Sequence, residues 1–96
     1  MKQNLYHVFF RNLANKDKIK IISLLKKKDL SVNELSESLN IEQSSISHTL
    51  SALKYCSIVN VEQKGKKRIY SLNKKTIVPL LNLIDEHTKE FCKNKK

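Results

Sequence analysis

The sequence predicts a mainly α-helical domain with one small β-hairpin, in the order helix, helix, helix-turn-helix, hairpin, helix. Apolar residues recur every three or four positions through most of the chain, the mark of amphipathic helices. On either side of Gly65 the spacing changes to two, the mark of paired strands. The chain holds a single Gly and a single Pro, with no repeat and no Gly/Ser linker. Residues 1–96 therefore read as one unit, too short to bury two cores. Only Lys93 to Lys96 reads as a disordered tail.

Leu5, Val8, Phe9 and Leu13 place a first helix over about Asn4 to Leu13, with Tyr6 and Phe10 adding apolar surface beside that stripe. Asn15 is suited to cap a second helix, with Asp17 in the first turn and Lys26 to Lys28 at the carbonyl end, each favoured there by the helix dipole. Ile19, Ile21, Ile22, Leu24 and Leu25 make that helix apolar around much of its circumference, hence central to the core. Ser31-Val32-Asn33-Glu34 is a capping box opening a short third helix with Val32, Leu35 and Leu39 inward, ended by Asn40. A fourth helix, about Gln43 to Tyr55, turns Ile46, Leu50 and Leu53 inward. Two short helices joined by about three residues make a helix-turn-helix. Ile58 to Gln63 and Arg68 to Leu72 then form a two-stranded hairpin, with Gly65 supplying the positive φ of its turn. Thr76 is placed to cap a last helix with Pro79 in its first turn, striped by Ile77, Leu80, Leu81, Ile84 and Phe91, with Leu83 to the side. A hairpin following a helix-turn-helix is a wing, so the architecture is a winged helix-turn-helix.

Charge narrows the function. Lys and Arg number 19 against 9 Asp and Glu, a formal charge of +10, which points to a polyanionic partner. Nucleic acid comes first and an anionic membrane surface second, while a merely lysine-rich composition is the plain alternative. No apolar run approaches the ~20 residues of a membrane span, and the N-terminus lacks a signal-peptide pattern, so a cytoplasmic protein is expected. Two cysteines, Cys56 and Cys92, make no disulfide framework and fit a reducing compartment.

Where the charges fall favours double-stranded DNA. With Ile46, Leu50 and Leu53 inward, helical spacing turns Ser44, Ser45, His48 and Ser51 outward, with Gln43 leading the helix and Ser47 and Lys54 completing the candidate DNA face. Gln contacts adenine through two hydrogen bonds, Ser contacts phosphate or base edges, and a helix N-terminus favours phosphate. No Asp or Glu occurs between Gln43 and Val61. In the hairpin, Lys64, Lys66, Lys67 and Arg68 cluster around Gly65, within reach of phosphates or a minor groove. An ordinary polar helix face and a solvated turn are the plain alternatives, and the juxtaposition of the two favours DNA.

Three stretches, in order and at matching spacing, resemble the ArsR/SmtB family of winged-helix repressors over roughly Leu13 to Phe91. Leu13 to Ile22 resembles the family's entry into the second helix, Leu30 to Leu35 with Ile41 to Leu50 its helix-turn-helix, and Gly65 to Leu72 its wing. Glu42 stands where the family has a Ser cap, Thr49 where it often has His, and Ser57 where Gly is common. The resemblance implies a DNA-binding transcriptional repressor. It also locates two metal sites known in the family, and neither is complete. The thiolate positions hold Ser31 and Asn33; of the other site, His87 and Glu90 resemble one half while the second half falls on Lys74 and Thr76. Two ligands do not complete a tetrahedral zinc site, so no metal and no other cofactor is expected.

Other readings are weaker. Cys56 and Cys92 are candidates for redox sensing, which needs electropositive, partly exposed thiols; Cys92 has Lys89 and Lys93 nearby, whereas Cys56 is expected to pack. No Gly-rich phosphate loop, paired inward carboxylates or Ser/His/Asp spacing supports an enzyme. A winged-helix protein-interaction module is the remaining class, because fold does not dictate function. The terminal helices, about 4–13 and 77–92, carry Leu5, Tyr6, Phe9 and Phe10 and then Leu80, Leu83, Ile84 and Phe91, more apolar surface than one small core absorbs. A homodimer joined through these helices is expected. The residues name no effector.

Overall fold

The computed structural model describes the backbone of residues 3–91 and the side chains of residues 5–91. Cys92 and the 93–96 tail lie outside the described residues. The elements run α1 (Gln3–Leu13), α2 (Lys16–Lys27), β1 (Leu30–Ser31), α3 (Val32–Leu39), α4 (Gln43–Tyr55), β2 (Val59–Lys64), β3 (Lys67–Leu72) and α5 (Ile77–Phe91).

Local chemistry sets the boundaries. Asn15 Oδ1 accepts the Lys18 amide at 3.1 Å and starts α2. Ser31 Oγ accepts the Glu34 amide at 3.2 Å while Glu34 Oε1 accepts the Ser31 amide at 2.8 Å, closing the capping box on α3. These two Ser31 contacts hold the Glu34 carboxyl below its ordinary pKa, and the Lys67 and Lys28 charges add to the effect. Asn40 ends α3 in the left-handed region at φ 56°, a conformation its short polar side chain tolerates.

The core takes one face of each central helix: Ile21, Ile22 and Leu25 of α2, Leu35 of α3, and Ile46, Leu50 and Leu53 of α4. Ile58, Val59, Tyr70, Leu72 and Ile77 close it from the sheet side. Ile19 departs from the expectation of an α2 apolar around much of its circumference, being 44% exposed. Two positions before Ile21, it is turned about 200° away from the buried face.

The wing is part of a three-stranded antiparallel sheet, ordered β1-β3-β2, where the sequence predicts two strands. The added strand pairs Leu30 with Tyr70 and Ser31 with Ile69. It is only two residues long, too short for a periodicity, and Ser31 is at once its last residue and the cap of α3. Between β2 and β3 the turn has φ 63° at Gly65, while Lys66 is not among the positive-φ residues, the pattern of a type II′ turn matched to strand twist.

The end of α4 is as the sequence reads it, and the start of α5 brings a correction. Ser57 takes φ 58°, its amide bonding the Lys54 carbonyl and the Ile58 amide the Leu53 carbonyl, both at 2.9 Å. That is a Schellman ending with Ser in the place glycine usually fills. At the start of α5, Asn73 does the work expected of Thr76: its Oδ1 accepts the Lys75 and Thr76 amides at 3.0 and 3.3 Å. Its Nδ2 donates to the Ser57 carbonyl at 2.9 Å, tying the start of α5 to the end of α4. Only the first turns of α5 then meet the core, through Ile77, Val78 and Leu81. Further along, Leu83, Ile84 and Phe91 are exposed.

Candidate nucleic-acid interface

Burying Ile46, Leu50 and Leu53 leaves the rest of α4 facing water. Gln43, Ser44, Ser45, Ser47, His48, Ser51 and Lys54 are all exposed, and so is Tyr55 beyond them. The helix is aimed by the turn before it: the Ile41 amide bonds the Ser36 carbonyl at 3.2 Å, and Ser36 Oγ donates to the Ile41 carbonyl. Glu42 makes no side-chain cap, so the first amides of α4 take no acceptor from it. Gln43 is not free, however. Its Nε2 donates to Oδ1 of Asn33, across the helix-turn-helix. Periodicity carries no signal for that pair; the cue available in the sequence is two carboxamides, each near the start of its helix.

The hairpin brings a second group of cations near α3. Lys64, Lys66, Lys67 and Arg68 are exposed, and Lys66, Lys67 and Arg68 line an open cleft of about 240 Å3 with Ser31, Val32 and Asn33. Asn33 therefore touches the leading residue of α4 on one side and lines the base of the wing on the other. Lys64 opposes Lys67 in the ladder and lies 3.9 Å from Glu62, an exposed and weakly held pair.

The terminal helices carry a different surface. Leu5, Tyr6 and Phe10 of α1 and Leu83, Ile84 and Phe91 of α5 are exposed. Phe9 and Leu80 are half-buried, with Phe9 packed on the core and edge-on to Phe10 at 5.5 Å. No helix among the described residues is long and apolar enough to cross a membrane.

The sensor residues have local partners. Asn12 Nδ2 donates to the half-buried Cys56 sulfur at 2.9 Å, and Lys18 Nζ donates to Asn12 Oδ1 at 2.8 Å. The His87 ring packs on Phe91, with centroids 4.9 Å apart. Among the described residues, no three His, Cys, Asp or Glu side chains gather as a metal site would need.

Residues 15–61, which span α2 to the start of the wing, match the model of the bacterial regulatory protein, arsR family. The transcriptional repressor SdpR of Bacillus subtilis is 33% identical over 73 residues, an alignment covering 76% of this chain and 81% of SdpR. The chain belongs to the ArsR family. It is thus a transcriptional regulator, and the family is one of regulators, not of enzymes. A second relative, the HTH-type transcriptional regulator Rv0081 of Mycobacterium tuberculosis, is 36% identical over 74 residues, covering 76% of this chain and 65% of that protein. The crystal structure of Rv0081 superposes with a TM-score of 0.85 at 29% identity, over 96% of this chain and 93% of the other. The homodimeric winged helix-turn-helix domain Mb0332 of Mycobacterium bovis shares the fold, with a TM-score of 0.78 at 19% identity over 94% and 89% of the two chains.

Proposed function

We propose that this ArsR-family chain is a sequence-specific DNA-binding repressor that acts as a homodimer in the cytoplasm. The observation that carries the reading is the acid-free exposed side of α4 beside a wing holding Lys64, Lys66, Lys67 and Arg68. In this reading α4 lies in the major groove with Gln43, Ser45 and His48 toward base edges, while Ser44, Ser47, Ser51, Lys54 and the wing cations hold phosphates. Repression follows the kinship with SdpR, and the reaction at the operator is exclusion of other proteins, with no chemistry on the DNA.

The apolar faces of α1 and α5 join two copies, as Mb0332 is itself a homodimer. Leu5, Tyr6, Phe10, Leu83, Ile84 and Phe91 supply the contact surface, with Phe9 and Leu80 supporting it from below. Residues 1–96 act as one unit in each copy. A two-fold dimer presents two recognition helices about 34 Å apart to successive major grooves of a pseudo-palindromic site. Metal sensing through His87 and Glu90 lacks ligands, and Ser31 and Asn33 offer no thiolate.

Titration of the purified protein against duplexes of varied sequence at physiological salt tests the reading. A preferred duplex bound at least roughly a thousandfold more tightly than random DNA is expected. Uniform weak binding that is already lost as salt is raised modestly would instead mark a protein-interaction module.

A further inference from the structure

We propose that Asn33 is a specificity-positioning residue: it holds the carboxamide of Gln43 in the orientation that selects adenine. The inference rests on the reading of α4 as the recognition helix. A Gln side chain has one acceptor oxygen and two N–H donors at its tip, and rotation about the last bond exchanges them. Adenine presents a donor, N6–H, and an acceptor, N7, side by side in the major groove, so Gln reads it only when oxygen and N–H face the correct atoms. In the structure, one Nε2–H of Gln43 is committed to Oδ1 of Asn33. The oxygen and the second N–H remain, which is the pair adenine requires. Reversing the Gln43 carboxamide alone sets Oε1 against Oδ1, two acceptors without a proton between them, so the orientation changes only if the Asn33 carboxamide turns with it.

The setting of Asn33 supports the assignment. It is the second residue of α3, exposed and outside the core, so its side chain is not held there by packing. The Ser31–Glu34 capping box already serves the start of that helix, and neither bond involves the Asn33 side chain. Asn33 also lines the cleft beneath Lys66, Lys67 and Arg68, which places its own amide group beside the cations assigned to phosphate. A side chain between the base-reading residue and the phosphate-holding wing suits a part that sets one in register with the other.

The experiment is a double-mutant cycle on the best-bound duplex and its single-base variants, with Asn33→Ala, Gln43→Ala, the double variant and Asn33→Asp. Gln43→Ala identifies the adenine position by relaxing preference there. Asn33→Ala should lose about tenfold of the same preference, at the same base pair, with an unchanged salt slope, and should add nothing in the Gln43→Ala background. Asn33→Asp keeps an obligate acceptor for Gln43 and adds a negative charge near DNA. It should retain the adenine preference while binding every sequence more weakly, a separation that a merely structural residue does not produce. If Gln43→Ala relaxes preference and Asn33→Ala does not, the Asn33 assignment is wrong and the recognition helix stands. If Gln43→Ala changes no position, the recognition-helix reading fails and takes the inference with it.

Discussion

Replacing Lys66 and Lys67 together by Ala tests whether the hairpin is an electrostatic anchor. Both side chains are exposed and neither is in the core, and the II′ turn at Gly65 is untouched, so the sheet is expected to persist. Removing Lys67 also relieves the like charge of Lys64 across the ladder. Removal of each phosphate-binding lysine should flatten the slope of log affinity against log salt by about 0.9, hence about 1.8 per wing and about 3.6 for the two wings of a dimer. Over a fourfold rise in salt, the wild type then loses roughly 150 times more affinity than the variant. Fluorescence anisotropy at several salt concentrations, on the preferred and a scrambled duplex, measures this. Both duplexes should show the same change, because phosphate carries no sequence. Gln43→Ala should do the reverse, costing about 1–3 kcal/mol on the preferred duplex alone with the slope unchanged. A lysine pair that leaves the slope where it was refutes the wing, and only the helix assignment survives.

Exchanging Leu83 and Phe91 for Glu, at positions 63% and 64% exposed, should leave each chain folded but bury unpaired charge in the dimer at several kcal/mol apiece. Sedimentation should find the wild type dimeric and the variant monomeric at micromolar concentration, and a monomeric wild type contradicts the two-fold model. Ser57→Gly should raise stability by about 0.5 kcal/mol, since relief of left-handed strain slightly outweighs the extra freedom of the unfolded glycine; a loss in urea denaturation overturns this. The Glu34 carboxyl, lowered by Ser31, Lys67 and Lys28, stabilises the fold above the ordinary value of 4.5, and this is lost as pH falls through its folded value. The stability margin of wild type over Glu34→Gln should therefore hold at neutral pH and shrink with acidification below that range, whereas a margin independent of pH removes the carboxylate's role.

What was legible in the sequence follows from which signals repeat. The α4 bounds, Gln43–Tyr55, match the predicted helix because Ile46, Leu50 and Leu53 repeat at helical spacing and are all buried. The capping box and the Asn40 ending were readable because each is one residue type at one offset. β1 was not, since two residues cannot display a period and their pairing partner lies on a strand forty residues away. Ile19 misled because composition counts apolar residues without regard to angle. Thr76 resembled a cap by type, while Asn73 acts as one through a turn whose geometry depends on its bond to Ser57. The exposed candidate residues of α4 were legible through the buried ones between them, and those of the wing through the clustering of cations around Gly65. The tie between Asn33 and Gln43 was not, because it depends on the angle between two helices.

The measurement that bears most directly on the whole account is selection of bound fragments from genomic DNA by the purified protein, followed by sequencing. The account predicts an enriched pseudo-palindrome whose half-site centres lie about one helical turn, 10–10.5 base pairs, apart, or a multiple of it, bound by two chains. Recovery of fragments with no shared sequence, or of a single unrepeated half-site bound by one chain, contradicts it.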